Sequence, residues 1–362
     1  MKGVEAIDRE RLKASRMSDS RVRERSAAGR GSSVCRIGIV MVATLLAFSG
    51  LAADEPELRL ASDEWPPFTG DPGTSRIAIK IVHVALERAG IAAETTIVRW
   101  RDVEQGIRRG TFEGSAAMWR SDSRERDLLY SDPYLENRLV LVGRKGSDVR
   151  AKTISDLGGK RVAAVGHYAY GEEIDSAQGV YFVNGRNDQE NLDKLLAGDV
   201  DYMLVDALVA LYLATNQAEE ATAKLEFGTT PLARRTLHFV LRRNVADADR
   251  IINAFNKELR GMFADGTFAQ ILQLGWIRVD IDGDGREEVV ALGDRVGLVP
   301  PGSVYDVFGK VPTAPPEKER FVIDGKVYEG WDAIPEQYKA QGPADYMDTT
   351  FKQGTTVYKL QF

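Results

Sequence analysis

Arg124 follows Ser121 by three residues and precedes the run Tyr130-Ser131-Asp132-Pro133-Tyr134. A guanidinium held by the backbone at the start of a helix can grip a carboxylate through two parallel N–H donors, a planar geometry that lysine cannot copy. The same Ser-x-x-Arg spacing also suits an ordinary capped, solvated helix. Asp206 closes the run Gly198-Asp199-Val200-Asp201-Tyr202-Met203-Leu204-Val205-Asp206, ending an expected strand and preceding an expected helix, where aspartate is a good N-cap. A third constellation lies downstream. Asp280, Asp282, Asp284 and Glu288 take positions one, three, five and nine of a loop, and Gly285 turns the chain after the third aspartate. Alternating hard oxygen donors of this kind suit Ca²⁺, with Arg286 offering only its backbone carbonyl. A complete EF-hand would need a bidentate glutamate at position twelve, where Ala291 stands. Without a cation these acids repel one another; the alternative is a solvated Asp-Gly turn.

The elements that must position these groups alternate between strand and helix. Leu58 to Ser62 reads as a strand running into a loop with Trp65-Pro66-Pro67-Phe68. Ile77 to Ala89 has helical apolar spacing and stops at Gly90, Ala92 to Val98 is a strand, and Arg101 to Arg109 is a helix closed by Gly110. Strands follow at Glu113 to Met118 and Leu139 to Gly143. A second unit of the same style begins near Lys145. It has a helical turn at Ile154 to Leu157, a strand at Val162 to Val165, the loop Gly166 to Gly171, a helix at Asn187 to Leu196, a strand at Tyr202 to Val205 and a helix at Asp206 to Asn216. Leu237 to Leu241 reads as a return strand, and helices at Ala248 to Ala264 and Thr267 to Leu274 complete the unit. Such alternation implies parallel sheet with helical crossovers.

The N-terminus carries a basic stretch, the apolar run Ile37 to Phe48, and small residues to Ala53. The run is short of the ~20 residues that span a bilayer, and the three parts together read as a secretory signal over residues 1–53, with Met17 as an alternative start. The single cysteine, Cys35, precedes the apolar run and so cannot be a lipoprotein cysteine. No later segment is long and apolar enough to span a membrane. The formal charge is −6 and no basic stripe interleaves with aromatics, which argues against nucleic acid.

Residues 57–276, and in particular Ser121, Arg124 and the Tyr130–Tyr134 run, resemble the family 3 periplasmic solute-binding proteins, with their Thr-x-x-Arg…Phe-Ser-x-Pro-Tyr pattern. The resemblance implies an α/β, two-lobed type 2 periplasmic binding fold with two hinge crossings. Lobe 1 would be 54–144 and 235–276, lobe 2 would be 145–234, and 277–362 a small β-rich extension. It implies that Arg124 clamps the α-carboxylate of an amino-acid-like solute and Asp206 receives its ammonium. Trp65 would cap the solute side chain, Trp100 would form a wall, and Trp119 and Ser121 would border the arginine. A zwitterion would then bridge the lobes, each charge-assisted bond contributing about 1.5–3 kcal/mol.

The chain also departs from the amino-acid binders. Ala116, Ala117 and Trp119 stand where small hydroxyl residues are usual, and Tyr168 and Tyr170 narrow the second-lobe loop. His167 reads as an exposed loop residue, His83 and His238 as structural. The acidic loop resembles the calcium loops of FG-GAP repeats, and Phe321 to Trp331 reads as a hairpin on an Asp-Gly turn.

The expected function is a monomeric, non-enzymatic periplasmic binder that hands a small zwitterionic or carboxylate solute to an ABC permease or a sensor. A second expectation is an enzyme on the same scaffold, resembling the periplasmic cyclohexadienyl dehydratases, with Glu64, Glu172 or Glu173 as general acid. A third is a calcium-stabilised interaction module with a vestigial cleft.

Overall fold

The computed structural model describes residues 58–216, 223–272, 276–291, 298, 304–308 and 319–339. The expected signal segment, Pro300-Pro301, the run Pro312 to Pro316 and the C-terminal end lie outside the described residues.

The first half contains β1 (Leu58–Ser62), α1 (Ile77–Arg88), β2 (Ala93–Ile97), α2 (Trp100–Arg109), β3 (Gly114–Trp119), α3 (Asp122–Glu125), β4 (Leu128–Tyr130) and β5 (Leu135–Arg144). The second contains β6 (Arg161–Val165), α4 (Glu172–Asp175), β7 (Tyr181–Gly185), α5 (Asp188–Ala197), β8 (Tyr202–Asp206), α6 (Ala207–Asn216), β9 (Leu225–Phe227) and β10 (Ala233–Arg242). The helices α7 (Ala248–Ala264) and α8 (Thr267–Leu272) follow. One sheet runs β2-β1-β3-β10-β5-β8-β6-β7, with β4 on β10 and β9 on β5. Each half is thus three parallel strands, ordered 2-1-3 or 7-6-8, flanked by a long antiparallel strand. Those long strands, β5 and β10, cross between the halves and pair with each other from Leu135↔Leu237 to Leu139↔Ala233.

Local chemistry accounts for the boundaries. Gly110 and Gly198 take φ of 83° and 85° to close α2 and α5, and the Asn187 side chain accepts the Glu190 N–H at 2.9 Å to start α5. Strands β3 and β8 are buried at every position, as central strands of a covered sheet must be. A side chain at Gly114 would put its first carbon 1.8 Å from the Val240 carbonyl oxygen, so only glycine lets β3 lie this close to β10.

Some elements differ from expectation. The helix expected at Ser121 is a single turn without a side-chain cap bond, and Ser121 instead sits 3.2 Å from the Ser123 hydroxyl. β5 is twice the expected length because its first half, LENR, pairs with β10 rather than forming a loop. β4, β7, β9 and α4, at three to five residues each, are too short to show a period.

The strands β11 (Trp276–Val279), β12 (Glu288–Ala291), β13 (Tyr305–Asp306), β14 (Arg320–Ile323) and β15 (Lys326–Glu329) form a separate five-stranded sheet in the order β13-β11-β12-β14-β15. The acidic loop connects β11 to β12, and the expected hairpin turns at Asp324-Gly325 with φ of 49° and 70°. This sheet rests on β5. The Glu136 N–H donates to the Val307 carbonyl at 3.1 Å, Arg138 donates to the Asp306 carbonyl, and its guanidinium lies 5.3 Å from the Tyr305 ring centroid. Among the described residues no helix is long and apolar enough to cross a membrane.

Candidate functional site

A cavity of about 20 Å³ lies where the two halves meet, lined by Asp63, Trp65, Trp100, Ala117, Met118, Trp119, Arg124, Tyr168 and Ala169. That volume admits about one water. The strand order explains the placement. Asp63 and Trp65 follow β1, Trp119 ends β3, and Tyr168 and Ala169 follow β6, so the carboxyl ends of three parallel strands converge on one crevice. Trp100 begins α2 and Arg124 lies in α3, both on the same rim.

Tyr168 fills this crevice. Its ring lies 5.8, 5.3 and 5.4 Å from the rings of Trp65, Trp100 and Trp119, each edge-on. Its phenol donates to Asp63 Oδ2 at 2.5 Å. The preceding residue, His167, holds φ at 68°, a left-handed conformation that costs a non-glycine residue about 1 kcal/mol or more. The exposed His167 contributes through its backbone: its carbonyl accepts Trp100 Nε1 at 3.1 Å and Arg124 Nη2 at 3.3 Å. Burial pushes the Asp63 carboxyl up to about 6, against the phenol's hydrogen bond.

Arg124 reaches the cavity with partners already in place. Its Nη2 and Nε donate to Glu104 Oε1 at 2.7 and 3.2 Å, Nη1 reaches the Trp119 carbonyl at 3.4 Å, and the guanidinium stacks 5.1 Å from the Trp100 ring centroid. The arginine and three tryptophans expected from the sequence, with Tyr168, are therefore brought together. Three expected neighbours, Asp206, Tyr170 and Ser121, are not among the lining residues. Asp206 is a buried cap: Oδ1 accepts from Leu208 N at 2.7 Å and Val209 N at 3.4 Å, while Oδ2 accepts from Arg138 N at 2.8 Å and Asn137 Nδ2 at 3.1 Å. Its two oxygens thus meet four donors within the protein. Burial still pushes it up to about 6. Tyr170 is buried behind the cavity, packing 5.4 Å from the Trp119 ring and accepting Val165 N–H at 2.9 Å. Ser121 turns toward Ser123, as described above.

Three residues were not anticipated. Asp63 stood in plain sight beside Trp65. Glu104 lies on the polar side of an amphipathic helix, where a surface role is the usual reading. Asp188 is the first residue of α5, where an acid ordinarily serves the helix dipole. Asp188 is half-buried, and burial, followed by the charges of Asp63 and Asp206, pushes it up to about 7.

The three glutamates nominated as a general acid do not line the cavity. Glu64 and Glu172 are exposed, and Glu173 pairs with Arg235 at 2.8 Å, which holds its carboxyl below the usual range. His238 is buried between the Ser131 carbonyl and the Thr236 hydroxyl, both 2.8 Å away, and burial lowers it to about 4. His83, with Nε2 2.8 Å from the Thr95 hydroxyl, is half-buried.

In the acidic loop, oxygens of Asp280, Asp282 and Asp284 lie within 4.8 Å of one another. Glu288 is not in that group. Its Oε2 accepts the Ile281 N–H at 3.1 Å, and its Oε1 lies 2.7 Å from Arg320 Nη1, itself 3.4 Å from Asp284 Oδ2. The Arg286 side chain points toward Glu329, 3.7 Å away.

The family model of the bacterial extracellular solute-binding proteins, family 3, matches residues 58–277, more than half of the chain. The L-cystine-binding protein TcyJ of Escherichia coli strain K12 is 25% identical over 224 residues, covering 60% of this chain and 80% of TcyJ. The GluR0 ligand-binding core of Nostoc punctiforme, solved with L-glutamate, aligns with a TM-score of 0.51 at 22% identity, over 60% of this chain and 97% of that one. The ancestral amino-acid-binding protein AncCDT-1, a precursor of cyclohexadienyl dehydratase, aligns at 0.51 and 20%, over 60% and 94%. At these identities the two structures speak to fold alone. With β5 and β10 crossing between halves that close on an aromatic crevice, and with the family model spanning both, this chain belongs to the bacterial extracellular solute-binding proteins of family 3.

Proposed function

We propose that this protein works in the periplasm, as a monomer, capturing a small amino-acid-like solute between its two lobes and presenting it to an ABC permease or a sensor. The observation that carries the reading is that Arg124, Trp65, Trp100 and Trp119 on one half and Tyr168 on the other enclose a single crevice. Opening the lobes withdraws Tyr168, and a solute carboxylate then competes with Glu104 for the Arg124 fork. The match to a cystine-binding protein supports an amino-acid class of solute.

A thermal-shift panel of amino acids tests this. A bound solute at a hundredfold excess over its Kd stabilises by about 2.7 kcal/mol. The shift is expected to shrink in Arg124→Ala, and no turnover should accompany it. Conversion of arogenate or prephenate in the same assay would favour the enzymatic reading instead.

For the acidic loop we read a structural calcium site held by Asp280, Asp282 and Asp284. The convergence of their oxygens supports it. Glu288 fits less well, because Arg320 already neutralises it. Chelation with EGTA is expected to lower the melting temperature of the wild type and leave that of Asp282→Ala unchanged. Equal responses of the two proteins would count against a metal.

A further inference from the structure

We propose that the C-terminal sheet is a brace on the hinge: it grips the crossing stretch of β5 through Glu136 and Arg138 and so limits how far the two halves swing apart. The inference goes beyond solute capture and needs no particular solute.

Crossing strands bend by changing φ and ψ at a few positions, and a neighbour paired along their edge restrains that change. The edge of β5 has such a neighbour. At the crossing, the Glu136 N–H donates to the Val307 carbonyl of the extension at 3.1 Å, and the Arg138 N–H donates to Asp206 Oδ2 at 2.8 Å. Val307 is held in turn by donating to the Arg278 carbonyl of β11 at 3.0 Å, and its side chain is fully buried. The extension thus lies along the hinge as a further strand would.

Side chains tighten the grip. Arg138 is 3% exposed, donates to the Asp306 carbonyl, and holds its guanidinium 5.3 Å from the Tyr305 ring centroid. Its Nε donates to Glu136 Oε1 at 3.2 Å, and the same oxygen accepts from Arg234 of β10. One buried guanidinium therefore draws partners from both β5 and β13. Separating those strands would leave a buried charge short of partners, which is costly.

The sheet that does the gripping is itself anchored. Ile277, Val279, Val290 and Val322 bury one face of it in the main core, and Trp276 and Phe321 belong to a separate cluster. The helix before it, α8, is tied to the first half by Arg88 of α1, which donates to the Thr267 hydroxyl at 2.7 Å. Successive side chains of a strand point to opposite faces. Between Glu136 and Arg138, Asn137 accepts the Trp119 indole N–H at 2.7 Å. Brace and crevice wall meet on adjacent residues of one strand.

Spin labels at the exposed positions Glu87→Cys on α1 and Ala197→Cys on α5, in the full chain with Cys35→Ser, report the separation of the halves without solute, by double electron–electron resonance. Arg138→Met keeps the bulk and loses the donors; it is expected to give a longer and broader distance distribution than the unsubstituted hinge. Hydrogen exchange at the Glu136 amide should quicken about tenfold, the protection that one backbone hydrogen bond supplies. Tyr305→Leu removes the ring beside Arg138 and should act in the same direction. It carries the test if circular dichroism shows Arg138→Met to be unfolded. Lys326→Ala, on the edge strand β15, should change neither reading. A folded hinge variant with an unchanged distribution would make the sheet a passenger and overturn the proposal, as would equal lengthening in Lys326→Ala. Because no solute enters the measurement, failure here leaves solute capture standing, and a solute panel in which nothing binds leaves the brace standing.

Discussion

Asp63→Asn should raise the melting temperature of the solute-free protein at pH 8, although it removes a residue from the binding crevice. The carboxyl of Asp63 sits at about 6 in the fold against an ordinary 3.8, because burial disfavours its charge. A group raised in this way contributes stability that is fully present below pH 3.8 and is lost as pH rises through 6. Above pH 7 the folded protein therefore holds an ion in a poorly solvated place, a cost of about 2–3 kcal/mol from the size of the shift. Asparagine keeps an oxygen for the Tyr168 phenol and removes the charge. The expected gain is about 4–8 °C at pH 8, shrinking toward zero near pH 4. Melting curves of the two proteins across that range decide the matter. His238 works in the opposite sense, since its lowered value means stability present above pH 6.5 and lost as pH falls through 4. It is common to both proteins and drops out of the difference. A gap that does not change with pH, or a less stable variant at pH 8, would remove the electrostatic account of the crevice.

Asn137→Ala should destabilise the protein by about 2–4 kcal/mol. Asn137 lies on the crossing strand β5 with no solvent exposure. Its Oδ1 accepts the Trp119 indole N–H at 2.7 Å and its Nδ2 donates to Asp206 Oδ2 at 3.1 Å. One amide thus ties a crevice wall on the first half to the helix cap on the second. Alanine leaves a buried indole donor without an acceptor and removes one donor from a buried carboxylate, and unmet groups of that kind are costly. Pairing it with Trp119→Phe in a double-mutant cycle should return a coupling above about 1 kcal/mol, because both changes break the same bond. A loss below about 0.5 kcal/mol, or strict additivity, would show that the linkage carries no weight.

Much of this could be read along the chain. Apolar periods with glycine stops located α1, α2, α5 and α7 to within a residue or two, because a helix face and a left-handed stop are local events. Trp65, Trp100, Trp119, Arg124 and Tyr168 were also legible, since each follows or ends an element whose carboxyl end faces the crevice.

What could not be read depends on contacts across the fold. Asp206 reads along the chain as a helix cap or an ammonium acceptor, and only the fold shows that β5 also donates to it, through the Arg138 N–H. Arg124 was expected to be open to a solute, yet Glu104, twenty residues earlier, meets it because α2 and α3 share a rim. Asp63 and Asp188 are 125 positions apart in the chain. The order of residues determined which elements form and which side chains end them, since helices, strands and caps answer to near neighbours. The folded sheet alone decided which charges meet, because the field at a buried carboxyl depends on whatever long-range packing sets beside it.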